Sequence, residues 1–465
     1  MKLLYHVLSF LNPSLNGMFY NPVMSIALLV PVCSRAHTWT DFKDCFLINR
    51  LLPSFNATRD SDYSYTFYFG VDDDDSFFLN NRSELEALGK VVILSGCQHA
   101  PAWAWNRLAE VAYNDGHEYL FQIGDDIVIQ TPGWTSRFIS KLKQHKHRGL
   151  VGPKNPVNFA LRVGGTQVIE NAFVHRSHYT LFKTFFHPSI RNWHCDEWLT
   201  QIYQGFCSYT DEEVLVDNGC IDKRYQIESV TISEQIREGR EKIRKDLHGC
   251  FSFCLYGPYT EKYYQGLVEN IPLIQEHYPN CEIKVYASPE ASPFVQELNV
   301  LLHTTPEDGS RNMSYRFLPT FTDEYEFVCV RDTDSRIHAR DRWCIDTFLD
   351  SPYTAYTIRD HSCHTYQIMG GLWGCKGKID VSPEVLVRFV SENPNRYALD
   401  TDFLNTYVYS LIRSSFLVFS FKPDAILGDP TETIKIIEYP LVNQEFCGNV
   451  VLYANRVPYH EFAHV

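Results

Sequence analysis

Tyr119-Leu120-Phe121-Gln122-Ile123-Gly124-Asp125-Asp126-Ile127-Val128 is the stretch on which the reading of this chain turns. An apolar run of this length reads as a buried strand, and it delivers two adjacent acids at its end. Trp103 to Tyr113, just upstream, has helical spacing, and Asp115-Gly116 separates the two. A helix feeding an apolar strand points to an α/β sheet, where ligands bind outside the carboxyl ends of the strands. Carboxylates placed there suit a hard divalent cation held against a phosphate. A second stretch repeats the design: Glu326-Phe327-Val328-Cys329-Val330-Arg331-Asp332-Thr333-Asp334-Ser335-Arg336. The two lie roughly 200 residues apart, about one domain length, which predicts two similar domains.

Composition agrees with two cores. The chain has 465 residues, a net charge of −14 and 45% hydrophobic residues, too much for one ordinary core. The acidic balance argues against a general nucleic-acid binder, which needs basic surface to neutralise phosphates. The 28 Tyr, 31 Phe and 8 Trp fill large cores, and aromatic faces also suit sugar rings. The 14 Cys are scattered, with no CxxC and no Cys/His ladder that would announce a structural zinc. Free buried thiols in a reducing, cytoplasmic compartment are therefore expected. No stretch approaches the ~18 apolar residues of a transmembrane span. Met1 to Val23, broken by Asn12-Pro13 and Asn21-Pro22, reads as an N-terminal extension without a clear cleavage pattern. The Asn-x-Ser/Thr triplets at Asn56, Asn81 and Asn312 are discounted, since they matter only in a secreted protein.

The expected organisation is an extension over 1–23, a first domain over 24–231, a helical connector over 232–249 and a second domain over 250–465. Ser25 to Val32 reads as a buried parallel strand. Ser34 and Arg35, at its end, either meet the base or ribose of a nucleotide or form a polar turn. Thr40 to Leu52 has helical spacing. The strand Tyr65 to Val71 ends in Asp72-Asp73-Asp74-Asp75, where most of the like charges are solvated and Asp73 is carried as a candidate for the nucleotide. Asn106, on the Trp103–Tyr113 helix, joins the same candidates. Gln167 to Phe173 reads as a strand. Trp193-His194-Cys195-Asp196-Glu197-Trp198 opens a helix whose acids either serve the macrodipole or face a pocket flanked by aromatics. Trp193 and Trp198 either stack on an acceptor sugar or pack in the core.

Ser233 to Leu247 is an amphipathic helix, with Ser233 to cap it and Gly249 to end it. Phe251 to Tyr256, Tyr259 to Ile271 and Glu282 to Tyr286 then make a parallel β-α-β unit. Asp341 to Leu349 is helical. Gly370-Gly371 implies a tight turn or close backbone approach. His361 and His364 read as a polar loop rather than a metal pair. Asp400 opens another helix.

Paired carboxylates at a strand end would bridge Mg2+ or Mn2+ to a diphosphate, the ion acting as a Lewis acid toward a departing nucleoside diphosphate. Arg331 or Arg336 would add positive charge. A third ligand would come from Asp196 or Glu197 in the first half and Asp400 in the second. One of Asp196 and Glu197 is alternatively a general base for an acceptor hydroxyl.

These motifs resemble those of glycosyltransferases of the GT-A type, with two such domains in tandem over Met24 to Val465. In the second half, Arg316-Phe317-Leu318-Pro319, Arg331-Asp332-Thr333-Asp334-Ser335-Arg336, Arg359-Asp360-His361 and Met369-Gly370-Gly371-Leu372-Trp373-Gly374 are similar to a run in glycosyltransferases of bacteria and large DNA viruses. Asp400-Thr401-Asp402-Phe403-Leu404 resembles that family's later Asp-Gln-x-Phe-Leu, with Thr401 in place of the usual Gln. Gly124-Asp125-Asp126-Ile127 resembles the Asp-Asp form of the metal motif. The resemblance implies two Rossmann-like α/β domains with mixed, mostly parallel sheets. It also implies nucleotide-sugar donors, a Mn2+ or Mg2+ requirement and a glycan or glycoprotein acceptor. By the same resemblance, Asp126 and Asp334 bind the metal, and Asp125 and Asp332 face the ribose or the metal's water shell. Arg316 then lies near the donor, and Gly370-Gly371 faces the donor sugar or acceptor. A polymerase, which also uses Gly-Asp-Asp, is set aside for want of a basic template channel. The remaining alternative is one catalytic domain beside a glycan-binding or structural one.

Overall fold

A computed structural model describes residues 24–156, 162–163, 166–206, 208–218, 226–306, 309–420, 433–436, 446–452 and 457–458. The expected extension over 1–23 lies outside the described residues. The first sheet is built from β1 (Ser25–Val32), β2 (Ser64–Asp72), β3 (Lys90–Leu94), β4 (Tyr119–Gln122), β5 (Val128–Ile129), β6 (Leu150–Lys154), β7 (Phe173–His175) and β8 (Ser208–Asp217). Its order is β3-β2-β1-β4-β7-β6-β8-β5. β1 runs parallel to β2 and β4, while β7 is antiparallel to both β4 and β6.

The second sheet contains β9 (Gly249–Leu255), β10 (Glu282–Ala287), β11 (Leu301–Thr304), β12 (Phe327–Arg331), β13 (Ala355–Arg359), β14 (Leu372–Lys376), β15 (Phe416–Ser420) and β16 (Thr433–Ile436). Its order is β11-β10-β9-β12-β14-β13-β15-β16. β9 is parallel to β10 and β12, and β14 is antiparallel to both β12 and β13. Strand for strand, β3-β2-β1-β4-β7-β6-β8 corresponds to β11-β10-β9-β12-β14-β13-β15. The same winding occurs twice, each time with one reversed strand beside the strand that carries the acids. The fold class is the expected one: α/β, with two mixed, mostly parallel sheets.

Strand periodicity explains how each sheet is covered. In β1, Ala27 and Leu29 face one core while Ile26, Leu28, Val30 and Val32 face another. In β9, Phe251, Phe253 and Leu255 face the first of these cores and Cys250 the core of the second half. The core containing Ala27 and Phe251 is continuous through both halves, and Ile232, Ile243 and Leu247 of the connector lie in it.

Several elements depart from expectation. The Thr40–Leu52 helix is a short turn at Phe42–Asp44, a wide turn at Leu47–Leu51 and a regular helix at Leu52–Thr58. Pro53 fits that helix's first turn, where no N–H is needed. The strand expected over Gln167 to Phe173 divides into Thr166–Gln167 and β7, with Ile169 N held by the Thr200 hydroxyl at 3.0 Å between them. The connector helix, Ser233–Asp246, starts without a side-chain cap, and Gly249 opens β9 instead of closing the helix. Among the described residues no helix is long and apolar enough to cross a membrane.

Polar contacts reinforce the shared core. Arg148 pairs with Asp246 at 2.6 Å and Glu326 at 2.7 Å. Arg244 pairs with Asp350 at 2.8 Å, and Lys376 donates to the Gly205 carbonyl at 2.8 Å. Gly205 has φ +94°, and a Cβ there would lie 2.4 Å from the Asp350 carbonyl carbon. Both the conformation and the space demand glycine. Gly205→Ala is expected to lower the unfolding free energy by roughly 1–3 kcal/mol. An unchanged urea midpoint would show that this contact does not hold the halves.

Candidate functional site

In each half the acids follow the fourth strand, at the edge where β1 meets β4 and β9 meets β12. That junction is the switch point of the winding, where a crevice opens beyond the carboxyl ends of parallel strands. The second half is the more tightly built. Arg316, 2% exposed, reaches Asp332 with one guanidinium nitrogen and Asp400 with another at 2.9 Å. Asp400 is itself 2% exposed, and burial raises its carboxyl above the usual range while Arg316 opposes the shift. The Gly370-Gly371 turn lies directly on this group. A Cβ on Gly371 would fall 2.0 Å from Asp332 Oδ2, and one on Gly370 would fall 2.8 Å from Asp400 Oδ2. Asp334 sits beside the cluster with Lys262 Nζ at 3.1 Å. Its carboxyl is raised first by burial and then by the charge of Asp332.

Lys262 is absent from the sequence reading. It stands in the first turn of the helix Glu261–His277, where the macrodipole disfavours a cation. That misplacement is the signal that it has an acidic partner elsewhere.

In the first half, Asp125 is 1% exposed and Asp126 is half-buried. The Asp126 carbonyl accepts Arg50 Nε at 2.6 Å, and Arg50 also meets Asp217 at 3.3 Å. The loop after β1 is tied to the loop after β2. Ser34 donates its amide and hydroxyl to Asp75, both at 2.7 Å, and Arg35 pairs with Asp72 and Asp74, each at 2.7 Å. Asp73 is exposed and accepts from Gln98. Asp75 also caps the helix Ser76–Asn80. Ser34 and Asp75 thus build the loop, leaving Arg35 and Asp73 along its rim with Asp72 buried beneath Arg35.

Asp196 opens the helix Cys195–Ile202, and its carboxyl is pushed up to about 8, by burial first and then by Glu170. Glu170 accepts from Asn155 at 3.0 Å and from Asn218, and Asn218 also takes Asn171 at 2.5 Å. This amide and acid cluster was not legible in sequence, because its members come from four separate segments. Glu197 does not share the setting. Its oxygens go to His194 at 2.7 Å and Gln201 at 2.9 Å within its own helix region, so it organises the helix start. Trp198 is core, 1% exposed, whereas Trp193 is exposed.

Three sequence candidates leave the sites. Asn106 spends its amide on the backbone of Phe185 and Phe186, accepting at 3.1 and 2.6 Å and donating at 3.0 Å. Arg331 points away from Asp332, as neighbours on extended chain do, and pairs with buried Asp341. Arg336 is held by Glu269 at 2.8 Å and by backbone carbonyls. Asp400 stays in the cluster, but its carboxylate holds Arg316 rather than an open coordination position.

The donors that could serve a metal are carboxylate oxygens: Asp126 in the first half, Asp334 with Asp332, already beside Lys262 and Arg316, in the second. An all-oxygen set suits hard Mn2+ or Mg2+. The Lys262 ammonium shows that the place beside Asp334 stabilises a cation. The residues present therefore fit such an ion.

No protein-family model matches the chain, and no curated protein matches it in sequence. Solved structures align with parts of it. TarS of S. aureus, residues 1-349, aligns at 9% identity and TM-score 0.31, covering 41% of this chain and 60% of that one. The same protein in complex with UDP-GlcNAc aligns at 11% identity and TM-score 0.23, covering 30% and 37%. GalNAc-T7 with UDP, GalNAc and Mn2+ aligns at 10% identity and TM-score 0.33, covering 61% and 55%. The chain thus spans less than two thirds of the length of each.

Arg316→Gln leaves Asp400 buried without its cation and is expected to cost roughly 3–5 kcal/mol of stability. Adding Asp400→Asn should recover part of that loss in chemical denaturation. A single variant as stable as the wild type would mean that Arg316 does not organise the cluster.

Proposed function

We propose that the chain is a nucleotide-sugar glycosyltransferase with a donor site at the carboxyl edge of each sheet. The observation that carries this reading is the recurrence of acids after the fourth strand of two sheets with the same winding. In the second half, Arg316, Asp332, Asp334 and Gly370-Gly371 would receive the donor, with Asp400 holding Arg316 in place. In the first half, Arg35 and Asp73 would line the nucleotide, and Asp125 and Asp126 would face its diphosphate. A bound Mn2+ or Mg2+ would neutralise charge on the departing diphosphate. The acceptor is a glycan or glycoprotein. The units proposed to carry the two sites are 24–231 and 250–465.

Asp196 is the proposed base of the first site. It would take the proton of an acceptor hydroxyl as that oxygen bonds to the anomeric carbon and the bond to the diphosphate breaks. Displacement of this kind inverts the anomeric configuration. A carboxyl pushed up to about 8 accepts a proton readily once ionised, so transfer should rise with pH toward about 8. Asp196→Asn should flatten that rise and lower turnover by roughly 10²- to 10⁴-fold while nucleotide binding persists. Recovery of the donor's own configuration in the product would exclude this role.

The deciding experiment is donor hydrolysis and transfer across nucleotide sugars, with Mn2+, Mg2+ or chelator, using wild type, Asp126→Ala and Asp334→Ala. Two donors, each lost with a different variant, would establish two active sites. One donor lost with one variant would leave the other half as a glycan-binding or structural partner. No metal-dependent turnover with any donor and a broad acceptor mixture would overturn the reading.

A further inference from the structure

Behind the second acid loop, on the face to which Arg331 turns, lies a different set of side chains. His338, Asp341 and Cys344 recur every three residues from the start of the helix Ala339–Leu349, so they form one stripe. Cys447, from a remote segment, completes the group. Ligand atoms of His338, Asp341 and Cys447 all lie within 4.8 Å of one another. His338 Nδ1 is 3.2 Å from Asp341 Oδ2, and the Cys344 and Cys447 side chains lie close enough for each to raise or lower the other's thiol. Asp341, Cys344 and Cys447 are fully buried.

We propose that His338, Asp341 and Cys447, whose ligand atoms the fold already gathers, hold a structural zinc ion separate from the donor sites, with Cys344, next along the stripe, closing in as the fourth ligand. One imidazole, one carboxylate and two thiols are a tetrahedral set of borderline softness, suited to Zn2+ rather than to the hard ions of the acid loops. The outer contacts are those a zinc site uses. His338 Nε2 meets the Phe446 carbonyl at 3.3 Å, which places the ring proton there and leaves Nδ1 as the ligand. The other Asp341 oxygen is held by Arg331. Nδ1 also accepts the Arg340 amide at 3.2 Å, a bond that ligation would displace. Charge balances: zinc enters as the two thiol protons leave to solvent, and four bonds form, from two sulfurs, one nitrogen and one oxygen.

The site has a structural consequence. Cys447 belongs to a segment that packs on the acid loop, with Val451 N on the Asp334 carbonyl at 3.0 Å and Ser335 bridged to Val450. Zinc would pin that segment, and so the position of Asp334. The sequence shows no ligand ladder because three ligands share one helical stripe and the fourth is about a hundred residues away.

The test is metal analysis of the full chain purified without a metal-affinity tag. About one zinc per chain is expected, surviving dialysis against Mg2+. Replacement by Co2+ should give a thiolate-to-cobalt charge-transfer band and tetrahedral d–d bands. Cys344→Ser with Cys447→Ser, and separately His338→Ala, should reduce zinc to below about a tenth per chain, whereas Asp334→Asn should keep it. If the cysteine variant fails to fold, the wild-type cobalt spectrum decides. Wild type without zinc and without the thiolate band overturns the proposal. So does an intact mass two hydrogens light, which would mean a Cys344–Cys447 disulfide, or zinc retained in the folded double variant.

Discussion

Strands covered on both faces leave a charged group only their ends as a route to solvent. That constraint governs both halves. β4, β9 and β12 are buried along their length and β1 at all but Ser25 and Pro31, and after β4 and β12 the acids begin where the strands stop. Parallel winding brings several such ends to one edge, so polar side chains from distant parts of the chain converge there. Arg331 tests the constraint. It is charged, lies within β12 and is buried, and it is tolerated because Asp341 meets it from the neighbouring helix.

The two edges solve the same problem differently. In the second half, acids are neutralised from within, Asp332 and Asp400 by Arg316 and Asp334 by Lys262. In the first half, one fixed cation meets the acids after β2, where Arg35 joins Asp72 and Asp74, while Asp196 is held high by burial and Glu170. The first half therefore holds a group ready to change protonation, and the second holds a preformed ion-pair frame. A protonatable group suits chemistry on a hydroxyl, and a frame suits holding a charged ligand in one pose.

Much of the winding was readable, because long apolar runs such as Ser25–Val32 and Phe327–Arg331 can only be buried strands in a chain of this composition. Short strands were read unevenly: Leu301–Thr304 is too brief for periodicity to show, and the strand at Phe173–His175 was placed several residues too early. The acid pairs were visible because strand and acids are contiguous. Their partners were not, since Lys262 meets Asp334, and Glu170 with Asn218 forms the setting of Asp196, by topology alone. Asn106 and Arg331 misled for a related reason: polar residues next to a motif in sequence face whichever side the helix or strand period dictates. Asp400 was seen correctly as part of the constellation, but its partner decides its role, and the partner lies 84 positions away.

The apolar core that runs unbroken from Ala27 to Phe419 bears on how such a chain can evolve. Each half is the lid of the other's hydrophobic seam. A half that lost its chemistry by mutation would still be retained by selection, since deleting it would expose Phe251, Tyr203 and their neighbours to water. Inheritance of both halves is thus favoured by the shared core itself. Sequence drift in one edge can proceed while its sheet stays under constraint, which gives a duplicated fold room to acquire a second specificity without ever becoming dispensable.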